Sequence, residues 1–130
     1  MCIRDRSEGC ALIATGSPFD PVEYNGNHYS VAQCNNIYIF PGLGLGVLAS
    51  DAERVSDGML DAAVKTLAMA SPAIMNPEAA LLPELNRIHQ VTGEIAIAVE
   101  RKAQEEGLSP KCEQTTFDAR VRDNLSLIHI

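Results

Sequence analysis

The chain has 130 residues, 46% of them hydrophobic and none Trp, with 17 acidic against 10 basic side chains and a formal charge of −7. That length holds one domain with a modest core, or part of a larger one. An acidic balance with no Lys/Arg cluster argues against nucleic acid and anionic membrane surfaces as partners. The longest mostly apolar stretch, residues 37–49, is broken by Pro41, Gly42, Gly44 and Gly46, and falls short of the roughly 20 residues of a membrane helix.

Residues 1–6 read MCIRDR and residues 125–130 read LSLIHI. One DNA sequence, GATGTGTATAAGAGACAG, encodes the first hexapeptide from its ATG, with Arg or Ser last, and its reverse complement encodes the second. That DNA resembles the transposon end used in sequencing libraries. Both ends are therefore read as adapter translation and set aside, and the native protein is expected to continue on both sides of residues 7–124.

Residues 10–15 (CALIAT) form a short apolar run ending at Gly16-Ser17-Pro18, which suits a buried strand running into a turn. Asn25-Gly26 lies between the β-prone segments 22–24 and 27–31. Both residues of such a turn need positive φ, which Asn and Gly tolerate best, so a hairpin is predicted. Residues 37–50 follow Asn35-Asn36 and admit two readings. A helix starts at the Asn pair, which is a good cap, or a strand over 37–40 leads into a glycine loop. Residues 57–70 read as a helix capped by Ser56 and stopped by Pro72, with Leu60, Ala63, Val64, Leu67 and Ala68 on one face. Pro83 suits the first turn of the next helix. There Leu85, Ile88, Ile95 and Val99 form an apolar stripe with Thr92 in its gap, and Gly107 is the expected C-cap. Residues 108–124 are polar and weakly patterned, so three helices are expected in all.

Gly42, Gly44 and Gly46 tempt a nucleotide-binding reading. A dinucleotide fingerprint needs G-x-G-x-x-G, and Val47 occupies the third glycine's place. No acidic residue ends a second strand about 20 residues on, so a buried, closely packed helix is the better reading. Asn35-Asn36 offers amide donors at the start of a helix, where free N–H groups and the dipole suit a carboxylate; a capping role alone accounts for the same residues. The cysteines at 2, 10, 34 and 112 form no CxxC pair, and scattered thiols fit a reducing cytoplasm. His28, His89 and His129 have no ligand-like spacing. No catalytic constellation and no metal-ligand set is present.

Residues 14–50 resemble the malic enzyme family. The resemblance is most specific at Gly16-Ser17-Pro18-Phe19, Gln33-Cys34-Asn35-Asn36 and Tyr38-Ile39-Phe40-Pro41-Gly42, and continues at Arg54-Val55-Ser56-Asp57, Leu82-Pro83-Glu84-Leu85 and residues 95–99. It spans about residues 7–124 and looks most like the bacterial NAD-linked branch. It implies an α/β fold: the terminal part of a Rossmann-type NAD-binding domain (one strand and a hairpin, residues 7–50), then a mainly α-helical C-terminal segment over residues 51–124. It also implies that the parent enzyme oxidatively decarboxylates malate to pyruvate and CO2.

By the same resemblance Asn35 binds malate, and Asn36 lies at the same pocket, near malate or the nicotinamide end of the cofactor. The cofactor is NAD, with NADP as the alternative, and the partners are malate or pyruvate and the remainder of the enzyme's own chain. The parent enzyme is expected to be cytoplasmic and homo-oligomeric. Mg²⁺ or Mn²⁺ is held by residues outside this stretch. The family's metal carboxylates, its Tyr–Lys acid–base pair and its true glycine fingerprint match nothing here, so the isolated chain is expected to be inactive. Two rival readings are a small helical interaction module without chemistry and a free-standing nucleotide-binding domain built on residues 42–46.

Overall fold

A computed structural model of the chain describes residues 6–8, 10–110 and 114–125. The adapter reading of residues 1–5 and 126–130 falls outside these. The chain divides into two compact units: residues 1–35 with 70–85, and residues 36–69 with 86–130.

The first unit carries four short strands: β1 (Ala14–Thr15), β2 (Val22–Tyr24), β3 (Asn27–Tyr29) and β4 (Ala32–Gln33). β2 and β3 pair antiparallel with Tyr24 opposite Asn27, leaving Asn25 and Gly26 as a two-residue turn. Their φ values are 51° and 79°, the positive pair that suits the twist of a hairpin. The predicted strand is shorter than residues 10–15 and finds a partner not foreseen. β1 pairs parallel with β4, Ala14 opposite Ala32 and Thr15 opposite Gln33. The Ala32 N–H donates to Ile13 O at 3.4 Å and the Cys34 N–H to Thr15 O at 2.7 Å. Parallel strands need a long connection, and the hairpin supplies it. A 3-10 turn at Pro72–Ile74 and a Ser71 Oγ bond to Leu81 O at 2.6 Å order the second segment of this unit.

The second unit is helical. A 3-10 turn (Asn36–Tyr38) leads into α1 (Phe40–Ser50), followed by α2 (Asp57–Met69), α3 (Ile88–Glu105) and α4 (Gln114–Leu125). Residues 37–40 are thus not a strand, and the glycines at 42, 44 and 46 lie inside a helix. α3 is the hub, burying Ile88, Val91, Thr92, Ile95, Ala96, Val99 and Ala103. The predicted stripe holds at Ile88, Ile95 and Val99, but Leu85 stays exposed in a 3-10 turn that precedes the helix. α1 packs on α3 through glycine. A Cβ on Gly42 would stand 2.7 Å from Ile95 Cβ and 2.9 Å from Thr92 O; one on Gly46 would stand 2.8 Å from both Ala96 O and Val99 Cβ. Gly44 faces open space. Close packing thus offsets a propensity cost of about 1 kcal/mol per glycine at two positions of three.

Two expectations need correction. In α2 Ala63 is buried as predicted and Leu67 half-buried, but Met59 is buried in place of Leu60, and Leu60, Val64 and Ala68 are exposed: the buried face shares only part of the predicted stripe. The α2 N-terminus does use Ser56, whose Oγ accepts from the Met59 N–H at 3.1 Å. Residues 114–125 form a fourth helix where a patternless tail was expected. Its Phe117 and Val121, at i and i+4, complete a buried cluster with Leu45, Ala49 and Ala96. Two apolar residues on an otherwise polar segment are a weak signal until a partner face is known.

The helix ends are closed by recognisable means. Gly107 has φ 69°, with its N–H on Gln104 O and the Leu108 N–H on Ala103 O at 2.8 Å, the paired bonds of a Schellman cap. α1 ends the same way with Asp51 at φ 53°. Its last four carbonyls all find donors: Val47 O from the Ala52 N–H, Leu48 O from the Asp51 N–H, Ala49 O from Arg120 Nη1 and Ser50 O from Ser109 Oγ. No helix in the described residues is long and apolar enough to cross a membrane.

Candidate functional site

Asn35 and Asn36 stand where the strand unit gives way to the helical one. On the first side, β4 is held to β1 by the two backbone bonds above, and Gln33 Nε2 donates to Gly16 O at 3.5 Å. Cys34 follows as an exposed free thiol, then Asn35, also exposed. On the second side, Asn36 opens the 3-10 turn, and its carbonyl accepts from the Ile39 N–H at 3.2 Å. Tyr38 in the same turn is buried, only 3% exposed. The turn passes directly into α1: the N-cap is Ile39, no side chain caps it, and Pro occupies the first turn. The Asn pair therefore does not cap α1. It precedes the helix by a 3-10 turn and keeps its side chains at the surface.

Sequence reasoning passed over Tyr38 and Glu100. The apolar string around Tyr38 was the available signal for its burial. Glu100 is 2% exposed on α3. Its Oε1 accepts from Gln104 Nε2, and its Oε2 has no hydrogen-bond partner among the described residues. Burial pushes its carboxyl above the usual carboxylate range, Arg101 and the Gln104 bond pull it back, and Asp118 of α4 adds to the rise. Glu100 follows the apolar run 95–99 and precedes Arg101 and Lys102, which reads as the start of a polar face and gave no warning that a carboxylate is buried.

Two clefts are not lined by the Asn pair. One of about 350 Å³ in the helical unit is lined by apolar Ile97 and Val121 together with His89, Glu94, Asp118 and Arg122. Another, of about 380 Å³ in the strand unit, involves Cys10, Leu12, Tyr29 and Glu78. Among the described residues no group of three or more His, Cys, Asp or Glu side chains is placed to hold a metal ion. These residues therefore do not fit a divalent-metal site. Nor does the stretch 42–46 fit a phosphate loop, since its amides lie within α1 and two of its three glycines press on α3.

Residues 2–104 match the family model described as malic enzyme, NAD binding domain. The chain belongs to the malic enzyme NAD-binding domain family. It is 53% identical over 118 residues to an NAD-dependent malic enzyme of Idiomarina loihiensis, covering 91% of this chain and 21% of that protein. An NAD-dependent malic enzyme of Shewanella woodyi is 50% identical over the same shares. A crystal structure of a malic enzyme from Pyrococcus horikoshii Ot3 superposes with a TM-score of 0.69 at 24% identity, covering 98% of this chain and 27% of the other. The chain thus spans about a fifth of the length of the curated relatives it matches. Its short strands and dominant helices are the terminal part of a Rossmann-type domain of this family with its mainly helical continuation.

Proposed function

We propose that this chain is a segment of an NAD-dependent malic enzyme, which oxidatively decarboxylates malate to pyruvate and CO2 while reducing NAD. The observation that carries this is the 53% identity to a protein of that name across 91% of the chain. NADP remains the alternative cofactor. Mg²⁺ or Mn²⁺ would be held by residues elsewhere in the enzyme, and nothing in this segment's chemistry is routed through it. The whole enzyme is taken to be cytoplasmic and homo-oligomeric, with malate, pyruvate and the rest of its own polypeptide as partners. The isolated segment is taken to be inactive.

In this reading Asn35 donates an amide hydrogen bond to an oxygen of malate, and Asn36 lies beside malate or the nicotinamide. Their surface exposure supports it, because a ligand can reach both side chains. The test is Asn35→Ala in the full-length enzyme. Losing a donor to a charged group costs roughly 1.5–3 kcal/mol, so kcat/KM for malate should fall about ten- to a hundredfold. Thermal stability should change little, and Asn27→Ala at the start of β3 should match wild type. Full kcat/KM in Asn35→Ala would end the assignment of that residue.

A further inference from the structure

The 3-10 turn that begins at Asn36 runs straight into α1, with its Tyr38 buried, so its place depends on where α1 itself rests. Two facts fix that place. The turn and helix are one hydrogen-bonded run, Asn36 O to the Ile39 N–H and Ile39 O to the Leu43 N–H at 3.0 Å. The run lies against α3 with no side chain between backbones at Gly42 and Gly46, where the nearest α3 atoms to a would-be Cβ include the backbone oxygens of Thr92 and Ala96 at 2.9 and 2.8 Å. Contacts of 2.7–2.9 Å lie well inside van der Waals range. Backbone oxygens in the middle of an 18-residue helix cannot rotate away as a side chain would. Any side chain at 42 or 46 must therefore lift α1 off α3 or tilt it, and the turn moves with it. Gly44, on the opposite side, imposes nothing.

We infer that Gly42 and Gly46 are positioning residues for Asn36: by setting how deeply α1 sits on α3, they set where the Asn36 amide is presented to substrate or cofactor. This rests on the reading of Asn36 as a pocket residue. Gly42 lies closer along the helix to the turn and should matter more.

The test uses the full-length enzyme with Gly42→Ala, Gly46→Ala and Gly44→Ala. It also includes Met59→Ala, which opens a cavity on the α2 side of α3 and lowers the melting temperature without touching α1's glycine face. Gly42→Ala should lower kcat/KM for malate or NAD about ten- to a hundredfold, since displacements near 1 Å have that effect. Gly46→Ala should lose less, and Gly44→Ala should equal wild type. Met59→Ala should lose melting temperature while keeping both KM values. If Gly42→Ala does not fold, Val99→Ala replaces it, loosening the contact beneath Gly46; its KM values should rise where those of Met59→Ala do not. If the glycine or Val99 variants lose only melting temperature, as Met59→Ala does, the inference is overturned. Asn36→Ala separates the two levels of the argument. If it is silent while wild type decarboxylates malate, the Asn36 assignment fails, and a kinetic defect in Gly42→Ala then counts against positioning through Asn36.

Discussion

The two units of this chain are held in different ways. The strand unit is organised by turns: an Asn-Gly turn with two positive φ angles, and two backbone bonds joining β1 to β4. Ala32 and Pro83 are its buried residues among those described, and Phe19 is 67% exposed. The helical unit is organised by burial around α3, and its Phe117 is 1% exposed. Turn chemistry determines conformation with little free energy behind it; a packed core supplies the free energy. Stability should therefore reside in one unit and the exposed Asn35 in the other.

Replacing the same residue type in each unit tests this most severely. Phe117→Ala should cost about 3–5 kcal/mol, because it empties a closed cluster. Phe19→Ala should stay within about 0.5 kcal/mol, as exposed substitutions do. Denaturant titration of the two variants decides; equal losses would mean that Phe19 is covered and that the contrast is false.

Next in size is Glu100. Its carboxyl lies above the ordinary value of 4.5, chiefly from burial. Protonation thus favours the folded state. The stability is fully present below pH 4.5 and is lost as the pH rises through the elevated value. Glu100→Gln should be more stable than wild type at neutral pH by on the order of 1 kcal/mol, since it removes a buried unpaired acceptor charge. The gain should vanish in acid. A variant less stable than wild type at pH 7 would show that Oε2 has a partner.

The smallest effects compare two glycines of positive φ. Gly107→Ala strains the α3 cap and should cost about 1 kcal/mol in global unfolding. Gly26→Ala carries a similar local penalty. It should appear as faster amide exchange confined to residues 22–29, leaving the global midpoint in place. A shift of that midpoint would tie the hairpin to the core.

Elements governed by local chemistry were legible in the sequence. Asn25-Gly26, Ser56 and Gly107 each need only their neighbours, and each is found in its predicted role. What depended on a distant partner was not. β4 is two residues without a distinctive pattern and exists because β1 lies beside it. α4 reads as polar until Leu45 and Ala49 supply a surface for Phe117 and Val121. The α2 stripe was right at Ala63 but took Leu60 where Met59 is buried, because the two are equally apolar and only the position of the packing partner chooses between them. At the candidate site, residue chemistry alone offered capping or carboxylate binding for Asn35-Asn36. The choice of malate came from the family resemblance, since neither role of an amide by itself names a particular ligand.

The hairpin set between β1 and β4 has a consequence for the order of assembly. Parallel pairing is ordinarily slow, because the chain must close a long loop before any contact rewards it. Here the loop is residues 16–31, and its middle folds on itself around a two-residue turn. Hairpins form in about 1–10 μs, far sooner than distant parts of a chain meet. Once β2 and β3 have zipped, their arms leave Thr15 and Ala32 only a short gap to cross. A contact that is non-local in sequence becomes nearly local in time, so β1–β4 pairing can follow the hairpin closely as this part of the chain emerges from the ribosome.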